Sequence, residues 1–478
     1  MQILIKYNKV LFILLFYIIN FLLMLYYIIE GNINLSLIIL LFTVLSSYFI
    51  LDKIIIFNPF SLFSYYYYFV IFSCLYLVNT NFDNNMYISM TKFSINESEL
   101  MLRTLVYLTL CYIFTYFGYK AIKKNFIPSI ELNDNISMKT INITILIFSL
   151  IGLSNFIINI FKFSSGNILD YFTNISIRQL EFETLGGTTL GYWFVFLACY
   201  LWFYKILKYK NKNEYFIFIL YLLLSIIMKA SLGRITDTIF YVLSFFVIYY
   251  FININTQLNN HRRYFILLLL LLLMAVLFFF FRFTSSLSYN DMLNSSFLST
   301  ILDFFTFDTI LLYIVDNGNI PNIPILMKII DSWEFDIGFL YGESLFSWLY
   351  GFFPSDIRPD RYQVSFLIKD IWFDQIDSGS LPPTGMGEMF ANFGYIGGLW
   401  GMFLFGVIIA FIYNLLYTFN NYWYLLIFVN ITLNFITIFP KGEVDNLSVL
   451  LIIPYIFLYV FLIFFQSLLR SKFYSKGN

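Results

Sequence analysis

The sequence has few charged residues and few residues of the types that bind metals or form disulfides. Only 12% of its 478 residues are charged and 60% are apolar, whereas soluble globular chains carry roughly 25% charged and about 45–50% apolar residues. This composition excludes a water-soluble enzyme and indicates a polytopic membrane protein. The 28 Lys and Arg balance the 28 Asp and Glu, so the basic domain that a nucleic-acid partner needs is missing.

The three cysteines and the single histidine offer little metal or redox chemistry. Cys74, Cys111 and Cys199 lie within apolar stretches and form no Cys-x-x-Cys pair, and His261 lies in the basic turn NNHRR. Neither a disulfide framework nor a thiolate metal site is expected. The sequence also lacks a phosphate-loop motif and an Asp-x-Asp pair, which argues against an ATP-driven pump and against a nucleotide-sugar-dependent transferase. We therefore expect no metal and no cofactor.

Long apolar runs dominate what is present. A helix needs about 20 mostly apolar residues to cross a bilayer, and twelve runs approach that length between polar, Gly or Pro boundaries. The sequence thus predicts an all-α, polytopic integral membrane protein with about 12 transmembrane helices. The predicted spans are Val10–Ile29, Ile33–Leu51, Phe60–Val78, Leu100–Gly118, Ile141–Phe161, Leu190–Leu207, Tyr215–Met228, Ile235–Ile252, Tyr264–Phe281, Gly397–Tyr417, Tyr422–Phe439 and Leu447–Phe465.

The distribution of charge predicts the orientation of these spans. Sixteen of the 28 Lys and Arg fall in one set of alternate loops, together with only four of the 28 Asp and Glu. Because short cytoplasmic loops are enriched in Lys and Arg, we expect both termini in the cytoplasm. The chain then divides into nine spans in residues 1–281, one large periplasmic loop in 282–396, and three spans with a cytoplasmic tail in 397–478.

Two segments of the large loop mix an apolar face with acidic residues. Residues 297–315 and 364–376 are long enough for helices that lie on the membrane surface and too polar to cross it comfortably. We expect both to be short interfacial helices. The alternative that 297–315 forms a thirteenth span stays open.

Motifs in and after this loop carry a resemblance to a known family. Residues 338–361 read GFLYGESLFSWLYGFFPSDIRPDR, and residues 379–414 read GSLPPTGMGEMFANFGYIGGLWGMFLFGVIIAFIYN. With the topology, the segment 166–192 and the SLGR turn 231–234, the chain resembles the bacterial O-antigen (Wzy-type) oligosaccharide repeat-unit polymerases. The specific matching covers the 80 residues between 338 and 417.

The resemblance implies glycosyl transfer at the outer face of the bacterial inner membrane. The donor would be a growing glycan on undecaprenyl pyrophosphate, and the acceptor would be an incoming lipid-linked repeat unit. Membrane lipids and a chain-length regulator protein would be further partners, with no nucleic acid involved. Such a transfer requires a cation at the departing pyrophosphate, a carboxylate that takes the acceptor's proton, and a groove that holds both substrates.

Arginines at outer loops and span ends are the candidate cations. Arg forms paired hydrogen bonds with phosphate and keeps its charge in a poorly hydrated site. Placing Arg at bilayer depth costs about 2.5–3.5 kcal/mol on insertion scales, which favours a function for Arg234 and for Arg282, a catalytic candidate. Snorkelling to lipid headgroups, or pairing with a nearby carboxylate such as Asp237, is the alternative. The candidate pyrophosphate-binding residues are Arg178, Arg234, Arg358, Arg361 and Lys441.

Lys441 marks a departure from the family pattern. It lies in the stretch FPKGEVDN (439–446), where an Arg-Gly pair is expected from the resemblance. Phosphate binding by that turn would therefore depend on a lysine, which acts as a point charge.

Two glutamates beside glycines, Glu343 and Glu388, are the candidate catalytic carboxylates. Desolvation and a nearby arginine can together adjust a carboxylate to act as a base. Glu388 has an alternative role, because an anion in the first turn of the tenth span is favoured by the helix dipole.

Glycines, prolines and aromatic residues in the same segments predict packing and anchoring. Gly394/Gly398 and Gly397/Gly401 form two overlapping Gly-xxx-Gly pairs, a spacing typical of close helix packing. The Pro382-Pro383 pair should end any preceding helix and define the approach to the span. Tyr341 and Trp333, with Trp348 and Tyr350, could stack on sugars or anchor the chain at the membrane interface.

Two other functions remain open from the sequence. A flippase or other transporter of lipid-linked oligosaccharide would show two related halves, and this hydropathy pattern shows no such symmetry. An O-antigen ligase is expected, from its own family, to use a histidine in an outer loop, which this chain does not supply.

Overall fold

The computed structural model describes residues 19–20, 22–23, 26, 31–50, 57–79, 93–124, 130, 132, 136–164, 189–209, 214–231, 235–253, 322–346, 363–373, 381–442 and 447–474. These residues are mostly α-helical, and no β-strand occurs among them. The helices in this part of the chain are α1 (Ile33–Ile50), α2 (Pro59–Asn79), α3 (Glu97–Ile122), α4 (Met138–Ser164), α5 (Thr189–Tyr209), α6 (Tyr215–Ser231), α7 (Ile235–Asn253), α8 (Ile323–Asp336), α9 (Glu343–Phe346), α10 (Val364–Trp372), α11 (Gly385–Thr418), α12 (Tyr422–Lys441) and α13 (Leu447–Tyr474). The predicted all-α class is therefore confirmed for the described residues.

Helices cover ten of the twelve ranges that were predicted as spans. The range Tyr264–Phe281 and most of Val10–Ile29 lie outside the described residues, as does the segment 297–315. Among the residues that the structure describes, four helical stretches are long and apolar enough to cross a membrane, namely Pro59–Val78, Glu97–Ile122, Met138–Lys162 and Gly385–Thr418. By length and composition, these stretches are consistent with the predicted membrane protein.

The structure differs from the sequence prediction in two places within the large loop. Helix α8 was not predicted, because its 14 residues include four charged ones and are too few for a span. Helix α11 begins at Gly385, twelve residues before the predicted start at Gly397. Residues 381–384 are not helical, so the chain is extended or irregular at Pro382-Pro383, as that pair predicts.

The described residues belong to two compact units. The first lies within Met1–Phe126, Ile310–Leu415 and Phe435–Val449, and the second lies within Ile127–Thr309, Leu416–Asn434 and Leu450–Asn478. All of the candidate carboxylates and the described glycine motif belong to the first unit.

The first unit is built around buried tyrosines of α2 and α3. Five of them are fully buried, namely Tyr67, Tyr107, Tyr112, Tyr116 and Tyr119. A buried hydroxyl needs a hydrogen-bond partner, and the Tyr67 hydroxyl donates to the Leu108 carbonyl at 3.0 Å, while that of Tyr119 donates to Asn58 Oδ1 at 2.5 Å. Because these tyrosines are fully buried, the two bonds hold α3 against α2 and against Asn58, the residue directly before α2.

Helices α3 and α11 cross in the first unit with their backbones in contact. A Cβ atom added to Gly118 would collide with the Phe403 carbonyl, and one added to Gly406 would collide with the Thr115 carbonyl. Each helix therefore supplies a glycine to the same crossing, which is the small-residue packing typical of helices in membranes.

The second unit is also an aromatic helix bundle with polar groups inside it. Helices α4 and α5 share an extensive contact, within which Asn159 Nδ2 donates to the Tyr192 hydroxyl at 2.7 Å. The Tyr200 hydroxyl lies 2.6 Å from Ser244 Oγ and donates to Asn430 Oδ1 at 3.1 Å. These side-chain bonds connect α5 with α7 and α12.

Candidate functional site

A break inside α11 organises the candidate site. Gly394 has φ 68° and ψ −165°, a backbone region that is essentially restricted to glycine. The break separates residues Gly385–Phe393, called the half-helix below, from the longer segment that continues to Thr418. The turn at Gly394 therefore depends on that residue being glycine.

The half-helix folds back on the longer segment of α11. A Cβ atom on Gly398 would lie 3.4 Å from the carbonyl carbon of Met389, and one on Gly401 would lie 2.7 Å from Met389 Sδ. In a straight helix, residues 389 and 398 would be about 13 Å apart along the axis at 1.5 Å per residue. Gly398 and Gly401, which the sequence predicted to pack against another helix, thus pack against the half-helix that precedes them in the same chain.

The break also explains how the two motif segments meet. In an uninterrupted helix the carbonyls of Ala391 and Asn392 would accept hydrogen bonds from amides four residues later. Here the amide of Leu340 donates to the Ala391 carbonyl at 3.1 Å, and that of Tyr341 donates to the Asn392 carbonyl at 2.9 Å. The turn 338–342 therefore binds the end of the half-helix through its backbone.

Glu388 lies at the centre of this contact. Its side chain is buried, with 2% of the residue exposed, and Oε1 accepts a hydrogen bond from Ser344 Oγ at 3.0 Å. Asn392 Nδ2 donates to the same Ser344 Oγ at 2.7 Å and to the Glu388 carbonyl at 2.7 Å. The carboxylate is thus held by a side-chain network that joins α9 to the half-helix.

The start of the half-helix is capped by Thr384. Its Oγ1 accepts from the Gly387 amide at 3.0 Å, and its carbonyl accepts from the Glu388 amide at 2.9 Å. A side-chain oxygen at this position satisfies a first-turn amide that has no partner within the helix. Glu388 lies in the same first turn, where the helix dipole favours an anion, but its carboxylate also reaches across to α9.

Glu343 occupies the neighbouring element. It is the first residue of α9 and is half-buried, and its amide donates to the Leu340 carbonyl at 3.0 Å. Ser344, which follows it directly, holds Glu388. The two candidate carboxylates, separated by 45 positions in the sequence, therefore belong to elements that meet at one serine.

The turn after α12 lies against the start of the half-helix. A Cβ atom on Gly442 would be 2.5 Å from both Pro383 Cγ and the Thr384 carbonyl oxygen. Lys441 is the last residue of α12 and directly precedes this glycine. The backbone of this candidate thus ends beside the same half-helix that carries Glu388.

Helix α3 contacts both segments of α11 near the break. The Tyr107 hydroxyl donates to the Met386 carbonyl at 3.0 Å, and the Tyr107 ring makes edge contacts with Phe390 and Tyr395, at centroid distances of 5.5 and 5.7 Å. Tyr107 therefore fixes the half-helix against a predicted span.

The two described aromatic candidates, Trp333 and Tyr341, differ in how far their side chains are exposed. Trp333 is fully buried and packs edge-on against Trp372 at 5.8 Å, so its ring is not available to stack on a sugar. Tyr341 is 81% exposed and has φ 49°. Of these two, only Tyr341 presents a ring to a ligand or to the membrane interface. Trp348 and Tyr350 lie outside the described residues.

A second polar cluster attaches α8 to its surroundings. Asp331 accepts hydrogen bonds from the Ser94 amide, at 2.8 Å, and from the Ser94 hydroxyl. Lys328 lies 3.8 Å from Asp331 and 5.3 Å from the centroid of the Trp372 ring, whose Nε1 donates to Asp336 at 2.8 Å. This cluster fixes α8 and α10 beside the start of α3.

Five of the six candidate cations lie outside the described residues, namely Arg178, Arg234, Arg282, Arg358 and Arg361. Sequence reasoning did not identify Ser344, Asn392 or Tyr107. A signal for Asn392 was present, because a residue four positions after Glu388 shares its helix face. Over the described residues, no three His, Cys, Asp or Glu side chains form a group that could hold a metal ion.

Comparison with known proteins gives no indication of the function of this chain. No family model, no curated protein and no solved structure matches this chain.

Proposed function

We propose that this protein polymerises undecaprenyl-pyrophosphate-linked oligosaccharide repeat units by glycosyl transfer. The observation that carries the proposal is the buried Glu388 network. It joins residues 338–346 to residues 381–394, which lie within the segments 338–361 and 379–414 that carry the resemblance to the Wzy-type polymerases. Two of the helical stretches that are long and apolar enough to cross a membrane, Pro59–Val78 and Glu97–Ile122, belong to the same unit.

The transfer requires one carbon–oxygen bond to form and another to break. A hydroxyl of the acceptor's sugar attacks the anomeric carbon of the donor glycan, and the bond from that carbon to undecaprenyl pyrophosphate breaks. The acceptor hydroxyl loses its proton to a carboxylate. We assign this role to Glu388 rather than Glu343, because Glu388 is buried and its Oε1 is held by Ser344, whereas Glu343 is half-buried. A positioned base of this kind contributes about 10²–10⁴-fold to a rate.

Cations would stabilise the departing pyrophosphate. We propose Arg282 as a catalytic cation and Arg178, Arg234, Arg358, Arg361 and Lys441 as further pyrophosphate-binding residues. The contact of Gly442 with Pro383 and Thr384 supports Lys441, because it brings the end of α12 to the half-helix of Glu388. No nucleotide sugar and no metal takes part in this scheme.

The proposed location is the outer face of the bacterial inner membrane, with both termini in the cytoplasm. Charge distribution supports this orientation, because sixteen of the 28 Lys and Arg lie in the loops assigned to the cytoplasm. A chain-length regulator protein would be a further partner.

The test is glycan length in cells whose own copy of the protein is deleted and then replaced by a variant. Glu388→Gln keeps the shape of the side chain and removes the base, so we expect single capped repeat units in place of long chains. Glu343→Gln is the matched control and should leave long chains. Full-length polymer from Glu388→Gln, at a normal protein level, would contradict the assignment.

The same assay distinguishes the proposed polymerase from a flippase. Loss of a polymerase leaves one repeat unit at the cell surface, because units still cross the membrane. Loss of a flippase leaves none. A deletion strain without any surface unit would therefore reject the proposed function.

A further inference from the structure

The orientation of the Asn392 amide follows from its backbone partner. The Gly342 amide, which can only donate, lies 2.9 Å from Asn392 Oδ1. Asn392 therefore directs its oxygen at Gly342 and its Nδ2 group in the other direction. Nδ2 carries two hydrogens, and its two acceptors are Ser344 Oγ and the Glu388 carbonyl, both at 2.7 Å.

The fixed amide determines the direction of the next hydrogen bond. Ser344 Oγ accepts from Asn392, and its hydroxyl has a single hydrogen. That hydrogen is directed to Glu388 Oε1, 3.0 Å away. The chain from Gly342 through Asn392 and Ser344 thus has one direction, and it ends on the carboxylate as an acceptor.

All members of this chain are buried. Asn392 is fully buried, and Ser344 is 1% exposed. Water therefore does not replace a missing partner easily, and a broken bond leaves a polar group unsatisfied. The arrangement is thus rigid at the side chain to which the proposed function assigns the proton transfer.

We propose that Ser344 and Asn392 are positioning residues of the glycosyl transfer, which hold Glu388 in one orientation with Oε1 as a hydrogen-bond acceptor. This inference rests on the proposed function. The competing explanation is that the network serves only to fasten α9 to the half-helix, since the backbone bonds of Leu340 and Tyr341 lie beside it. The experiment must therefore separate orientation of the carboxylate from stability of the fold.

Four variants make that separation. Ser344→Ala removes the hydroxyl, and Ser344→Thr restores it. Asn392→Asp keeps the shape of the side chain but replaces the donor with an acceptor, so that two carboxylates compete for the Ser344 hydrogen. Asn414→Asp is the matched control on the same helix, because the hydrogen bonds of Asn414 within the described part of the chain go to the Ile122 carbonyl and the Lys124 amide, at 2.7 and 2.9 Å.

The first readout is the steady-state rate of chain growth in lipid nanodiscs, with a defined lipid-linked repeat unit as substrate. Losing a hydrogen bond to a charged group corresponds to a change of about tenfold in rate. We expect kcat to fall about tenfold in Ser344→Ala and in Asn392→Asp while KM stays within about twofold. Ser344→Thr should recover most of the rate, and Asn414→Asp should match the wild type.

The second readout needs no activity. The infrared band of the Glu388 side chain is identified as the band that Glu388→Gln removes, and its frequency reports hydrogen bonding at the carboxyl oxygens. We expect this band to shift in Ser344→Ala and Asn392→Asp and to stay in place in Asn414→Asp.

The outcomes distinguish this inference from the proposed function. If the wild type makes no polymer, the proposed function fails, and the band alone decides whether Ser344 orients Glu388. If the wild type is active but Ser344→Ala and Asn392→Asp retain its kcat, the positioning role is rejected. Equal losses in Ser344→Ala and Ser344→Thr with an unshifted band would assign the network to folding and also overturn the inference.

Discussion

Replacing Gly394 by alanine tests the broken helix directly. At φ 68° and ψ −165°, a residue with a side chain costs about 1–3 kcal/mol. The new Cβ would also lie 2.9 Å from Phe339 Cζ, and overpacking of this kind costs about 1–3 kcal/mol. We therefore expect Gly394→Ala to lower the free energy of unfolding by about 2–6 kcal/mol.

The substitution should also change the site. A straightened α11 would restore the usual amide partners of the Ala391 and Asn392 carbonyls, and Leu340 and Tyr341 would lose theirs. The turn 338–342 would then move away from the half-helix, and the hydrogen bonds that join Ser344 to Glu388 and Asn392 would break. We expect Gly394→Ala to abolish chain growth even in the fraction that remains folded.

Gly31→Ala is the control for this experiment. Gly31 also has a positive φ, 71°, but its added Cβ would meet no atom of the residues that the structure describes within 4 Å. It carries the backbone cost without the collision, so its loss of stability should be about 1–3 kcal/mol. The assay is unfolding in mixed detergent micelles, followed by circular dichroism. If Gly394→Ala is no more destabilising than Gly31→Ala and retains chain growth, the reasoning about the break is wrong.

Two further predictions concern geometry and charge. In a background without Cys74, Cys111 and Cys199, the pair Met389→Cys and Gly401→Cys should form a disulfide on mild oxidation, because the two positions touch in the folded-back helix although a straight one would separate them by about 18 Å. The control pair Gly401→Cys and Phe411→Cys, within the unbroken part of α11, should stay reduced, and failure of the first pair to oxidise would argue for a straight helix. In the second unit, Lys205 and Glu214 lie 2.6 Å apart with side chains 8% and 21% exposed, so Lys205→Ala should cost about 3–5 kcal/mol of unfolding free energy. Arg103→Ala is the control, because it breaks an equally short pair with Glu99 whose side chains are 53% and 56% exposed. This variant should cost less than about 1 kcal/mol of unfolding free energy. Similar losses in the two variants would show that burial does not decide the strength of these pairs.

Hydropathy could predict most of the described helices, because apolar length alone marks them. It placed the start of the tenth span at Gly397, since the half-helix before it contains the polar residues Glu388 and Asn392 and resembles a loop. The break at Gly394 is a matter of backbone angles, and a glycine in an apolar run does not reveal its φ. Helix α8 was missed for a related reason, because its apolar residues face a protein core rather than lipid and need not fill a span.

The candidate site could be predicted in part. Glu343 and Glu388 were selected because each lies beside glycines, and the structure brings their elements together at Ser344. Ser344 could not be assigned, because its partners lie about 45 residues away in the sequence and only the fold determines that pairing. For Asn392 the sequence showed only its spacing from Glu388, since its bonds to Gly342 and Ser344 also depend on the fold. Trp333 illustrates the opposite error, since an aromatic residue near a loop was considered for sugar stacking but is buried in the core.

The glycine crossing of α3 and α11 limits how the first unit can rearrange. Because Gly118 and Gly406 each face a carbonyl of the other helix, a shift of one helix along the other by a single residue would drive a methyl or larger group into peptide backbone. Sliding is therefore blocked, while rotation about the contact is not. Any movement that separates the ends of these two helices must therefore change their crossing angle, and the gap between them would widen with distance from the contact.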